Sequence, residues 1–139
     1  MRCNMKYDLV ELVSNMLEDA GISGVMEQGL SNHSTITLNM KDEIPSIYIK
    51  NENDEVWVWA KICEYNLSAL SYCSINLFPV MLNYNEDVFY TGQPCLYPVD
   101  GDLELRAQIR EKHLESADTF LMVLDHFLTL LQEYRAVLA

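Results

Sequence analysis

The residues of this chain that could do chemistry are three histidines, four cysteines and twenty-one carboxylates, and their spacing decides what is open to them. Zinc sites and disulfide frameworks announce themselves by Cys and His at short, fixed intervals. Cys3, Cys63, Cys73 and Cys95 form no C-x-x-C pair and have no His at zinc-finger distance, so they read as buried free thiols. His33 falls at the mouth of a strand, His113 in a charged loop and His126 on a helix, none with a second ligand-type residue at a matching offset. Asp125 and His126 are sequence neighbours, about 100° apart on a helix, which is poor geometry for a working pair. Surface or capping roles are expected of all three histidines. The carboxylates cluster in turns such as Asp42-Glu43 and Glu52 to Glu55, where solvated charge is the ordinary state. An acid and base paired across a sheet is the one catalytic arrangement left open. No Gly-rich phosphate loop, G-x-S-x-G elbow or H-E-x-x-H helix occurs. The expectation is a binding module, not an enzyme, with no catalytic residue, no metal and no cofactor.

Charge narrows the partners. Nine Lys and Arg stand against twenty-one Asp and Glu, a net −12, so a phosphate backbone or an anionic membrane surface is repelled, while basic or neutral polypeptides are not. No apolar run follows the charges of Met1 to Asp8, which predicts no secretory signal and residence in the cytosol. The two most apolar stretches, Leu67 to Leu82 and Phe120 to Leu131, are interrupted by polar residues or Pro79, so no membrane insertion is expected.

The elements that must position any site follow from periodicity. Leu9, Leu12, Val13, Met16, Leu17 and Ala20 recur at helical spacing up to Gly21, and Gly24, Gly29, Ser31 and Asn32 mark a loop. Thr35 to Met40, Ser46 to Lys50 and Glu55 to Ile62 then read as three strands joined by turns. Asn66 caps a middle helix that Pro79 should end or kink near Phe78. Asn85 to Pro98 is hardest to read, with a short strand candidate at Val88-Phe89-Tyr90, and Asp100-Gly101 turns the chain into an alternating strand from Leu103 to Arg110. Ser116 caps a last helix whose stripe is Phe120, Leu124, Phe127, Leu131, Tyr134 and Leu138. With no repeat and no linker, residues 1–139 form a single α+β domain.

Two elements are too apolar for the place the pattern gives them. In the third strand Val56, Val58, Ala60 and Ile62 point one way and Trp57, Trp59 and Lys61 the other, so both faces are greasy. Either a helix of the same fold or a partner must cover the side that holds Tyr48, Trp57 and Trp59. The middle helix is apolar all round, and Leu70, Cys73, Leu77 and Phe78 are the expected residues of a contact between two copies.

Four segments resemble one family, the class IB type III secretion chaperones of the InvB/SpaK kind: Asp8-Leu9-Val10-Glu11-Leu12-Val13, Asn32 to Leu38, Ile44-Pro45-Ser46-Ile47 with Asp54 to Ala60, and Gly101-Asp102-Leu103-Glu104-Leu105. A V-W-x-W-A strand after an I-P-S-I strand is the most specific of them. The resemblance implies three helices on a curved, mostly antiparallel sheet, and a homodimer formed through the middle helix and its neighbouring strand. It also implies a bacterial cytoplasmic protein that binds the non-globular N-terminal segments of secreted effectors and delivers them to the secretion apparatus, including its ATPase and sorting components. Tyr48, Trp57 and Trp59 are the expected effector-binding residues. A non-catalytic adaptor bound to a folded partner is the rival reading.

Overall fold

Asp8 starts the first helix, α1 (Leu9–Asp19), by accepting the Glu11 backbone N–H on its carboxylate at 3.1 Å. Gly21, at φ +74°, stops it in the left-handed region that glycine enters without strain. In this computed structural model the described residues are 8–22, 34–83 and 85–139; the expected loop from Gly24 to Asn32, Cys3 and His33 lie outside them. Five strands follow, β1 (Ile36–Leu38), β2 (Ile47–Glu52), β3 (Glu55–Glu64), β4 (Cys95–Val99) and β5 (Asp102–Ile109). They pair antiparallel throughout in the order β1-β2-β3-β5-β4. The middle helix, α2 (Leu67–Met81), lies in sequence between β3 and β4, and a 3-10 turn (Glu111–Leu114) leads to α3 (Ala117–Leu138). Among the described residues, three α-helices and one antiparallel sheet make the α+β fold that the patterning implied.

The core sits on one face of the sheet. Ile36, Leu38, Ile47, Ile49, Val56, Val58, Ala60, Ile62, Leu105, Ala107 and Ile109 alternate along their strands and cluster with Leu9, Val13, Met16 and Leu17 of α1 and with Phe120, Val123, Phe127 and Leu131 of α3. Alternation with period two and a stripe with period 3.6 are thus satisfied by the same interior. Ser116 caps α3 by accepting the Thr119 N–H at 3.2 Å. Ser116→Ala should cost about 1 kcal/mol and lower the urea midpoint without changing the slope; an unchanged midpoint would mean that the cap contributes nothing.

The chain departs from the pattern in two places. Helix α2 runs through Pro79 to Met81, so of the end or kink expected near Phe78 the end does not occur. Proline removes the N–H that would meet the Ile75 carbonyl, but Ile75 and Pro79 are on the exposed side, where water can take the donor's place. Second, Val88-Phe89-Tyr90 is no strand: only an isolated bridge joins Phe89 to Ile109. The strand forms later, at Cys95–Val99, on the sheet edge where Pro98 loses no ladder bond that the fold needs. Side chains tie the intervening segment down. Gln93 Oε1 accepts the Gln108 N–H at 2.7 Å, just past the last β4 pairing at Arg106, and Arg110 Nε donates to the Phe89 carbonyl at 3.1 Å.

Candidate functional site

The opposite face of the sheet carries Tyr48 and Lys50 from β2, Trp57, Trp59 and Lys61 from β3, and Glu104, Arg106 and Gln108 from β5. No residue of a described helix lines the depression on it, which is walled by Thr35, Lys50, Glu52, Trp57, Trp59 and Arg106 and encloses about 440 Å³. Of the two covers that the sequence left open, a helix of the same fold is therefore not found among the described residues. Tyr48 and Trp59, direct cross-strand partners, stack with centroids 5.7 Å apart. The Arg106 guanidinium lies 5.3 Å from the Trp59 ring and 5.0 Å from the Tyr97 ring while its Nε donates to Glu104 Oε1 at 2.9 Å. Trp57 Nε1 donates to Glu55 Oε1 at 3.3 Å. Tyr48, Trp57 and Trp59 are all half-buried, fixed by their neighbours yet reachable. The structure places these three on one face of the sheet and sets Arg106, Lys50 and Tyr97 beside them.

A second apolar surface lies on α2. Leu77 is buried in the chain's own core, and Leu70 and Cys73 are half-buried on the same side. Phe78 is exposed and belongs to another ridge, with Tyr72 (88 % exposed), Ile75 (77 %) and Leu82 (68 %) at three- and four-residue spacing. Between Leu67 and Met81 the helix contains no charged residue. Its all-round greasiness is thus two stripes, one spent on the core and one facing outward.

A sequence model of the invasion protein B family, SpaK, matches residues 21–100, which is more than half of the chain and runs from the end of α1 to the end of β4. The chain belongs to the invasion protein B family. Among its relatives are the proteins named surface presentation of antigens protein SpaK of Salmonella typhimurium and of Salmonella typhi, each 28% identical over 129 residues, 91% of this chain and 93% of theirs. The match covers the strands that hold Tyr48, Trp57 and Trp59 and the whole of α2.

For an InvB/SpaK-type protein the remaining reactive side chains have structural uses. His113, expected in a surface or capping role, is buried: the 3-10 turn carries it inward, where its Nε2 meets the Asp87 carbonyl at 2.9 Å. His126 sits 3.4 Å from the Asn85 amide, so both rings fasten the segment between α2 and β4. Among the described residues no group of His, Cys, Asp and Glu could hold a metal ion, and no helix is long and apolar enough to cross a membrane. Cys63, Cys73 and Cys95 are free thiols, but half-buried where full burial was expected. Burial pushes the Cys63 and Cys95 thiols up, with Lys61 and Arg106 respectively opposing it. Both should alkylate more slowly at pH 8 in the folded protein than in urea, and the gap should narrow as pH rises above 9. Mass spectrometry of iodoacetamide adducts measures this; equal rates at pH 8 would contradict it.

Proposed function

We propose that this chain is a homodimeric chaperone of type III secretion that receives a non-globular N-terminal segment of a secreted effector on the helix-free face of its sheet. It holds that segment without a core of its own and presents it, in the cytoplasm, to the secretion ATPase and sorting components. The observation that carries the reading is the pair Trp57 and Trp59, half-exposed beside Tyr48 on a face that no described helix covers, in a member of the invasion protein B family. Monomeric proteins rarely leave a contiguous aromatic surface open, and rigid rings give large contact area at little cost in frozen rotors. An extended segment gains there the apolar contacts it cannot make with itself.

The homodimer fits the same reading. A chain of net charge −12 repels its own copies except where it carries no charge, and α2 is such a place. A twofold contact through Tyr72, Ile75, Phe78 and Leu82 would cover the outward ridge of both subunits.

Purification of the tagged chain from its native bacterium, followed by limited proteolysis and mass spectrometry, tests the proposal. The expected result is a fragment from the N-terminal part of a secreted protein, protected while bound and lost from the Trp57→Ala/Trp59→Ala variant. Recovery of an intact folded partner with no protected N-terminal fragment would contradict it.

A further inference from the structure

One side chain from each strand forms a row across the helix-free face, in the order Thr37, Tyr48, Trp59, Arg106 and Cys95. Arg106 is its only charge, and it is held from three directions by the Trp59 ring, the Tyr97 ring and Glu104. Glu104 takes only the Nε hydrogen. The two terminal nitrogens, with four more donors, have no hydrogen-bond partner among the described residues, and Arg106 lines the depression with Trp57 and Trp59. Lys50 lines the same depression, and its acidic neighbour Glu52 is 4.0 Å away and largely exposed. Lys50 and Arg106 thus line one depression with the two indoles, two cations to the one carboxylate of Glu52, in a protein of net charge −12.

We propose that this depression is a subsite for an Asp or Glu side chain of the bound polypeptide, received by Arg106 with Lys50 beside it, while apolar neighbours of that residue lie on Trp57 and Trp59. The inference rests on the reading that an extended segment binds this face. A segment laid over the rings shuts the partly exposed guanidinium off from solvent, and donors covered without an acceptor are costly. An apolar residue would leave them only the segment's backbone carbonyls, and a Lys or Arg would face two cations against the single carboxylate of Glu52. A carboxylate matches the fork of an Arg already oriented by its stacking. The acidic chain thus selects an acidic residue here, although its overall charge favours basic partners.

Selection of displayed random dodecapeptides on the purified chain tests this. The expected winners carry Asp or Glu at one fixed position among apolar residues and depend on Trp57 and Trp59. Changing that residue to Asn or Gln in a synthetic winner should weaken binding about tenfold, as should Arg106→Gln, with little further loss when the two are combined; Arg106→Lys should retain part of the affinity. The peptide substitution is read on the wild-type chain, so the test stands even if Arg106→Gln disturbs folding, which circular dichroism would show. Winners that need both tryptophans but have no acidic preference, or whose acidic residue matters equally with and without Arg106, overturn the subsite and leave the binding face intact. Winners indifferent to Trp57→Ala and Trp59→Ala, or no winners at all, remove the face itself and the subsite with it.

Discussion

Ile75→Glu should leave the chain folded and turn the proposed dimer into monomers, whereas Leu77→Glu, two residues along the same helix, should unfold it. Ile75 is 77 % exposed on the outward ridge of α2, and Leu77 is 5 % exposed and joins the core cluster. A carboxylate at position 75 is solvated in the free subunit and becomes an unpaired buried charge only when two ridges meet. At position 77 it is buried in the subunit itself, at a cost of about 3–5 kcal/mol, a large share of the stability of a domain this size. Light scattering coupled to size exclusion, with urea unfolding on the same samples, separates the two effects. A dimer that survives Ile75→Glu would show that copies of the chain do not meet through this ridge. Leu77→Glu is for the same reason a poor probe of association, since loss of fold would mimic loss of the dimer.

Trp59→Ala should weaken binding of an effector segment by about 2 kcal/mol or more, roughly thirtyfold, with a smaller effect on stability. Trp59 stacks on Tyr48 at 5.7 Å and lies under Arg106 at 5.3 Å, so its removal takes away both a contact surface and the support that orients a cation. Neither Trp57 nor Trp59 belongs to the core cluster, and truncation leaves no internal cavity of the kind that makes buried Trp→Ala changes so damaging. Affinity from calorimetry and the thermal midpoint must come from the same preparations. Variants that fold and dimerise normally yet bind as tightly as wild type would move the binding surface off this face.

Most elements were legible because burial follows a single period within each of them. Val56, Val58, Ala60 and Ile62 of β3 are buried and Trp57 and Trp59 only half so, as strict alternation requires. The α3 stripe is buried at Phe120, Leu124, Phe127, Leu131 and Tyr134. Legibility fails where two signals overlap or tertiary contacts override a local one. In α2 the core stripe through Leu70 and Leu77 and the outward stripe through Tyr72, Ile75 and Phe78 share one apolar run, and a single sequence cannot say which of them is spent inside the subunit. β4 has no alternation and contains Pro98; it is a strand because β5 offers a free edge beside a tight turn in which Asp100 and Gly101 take positive φ. Arg106 falls on the polar side of the alternation from Leu103 to Arg110, and only the register that sets it opposite Trp59 shows it to be part of the aromatic row.

Hydrogen exchange on the co-purified effector segment, free and bound, tests the central claim most directly. A segment held non-globular should exchange almost completely at the earliest time points when free, gain protection only on the chain, and lose that protection with Trp57→Ala/Trp59→Ala. Equal protection in the free and bound states would mean that the segment has a folded core of its own, and would contradict the account.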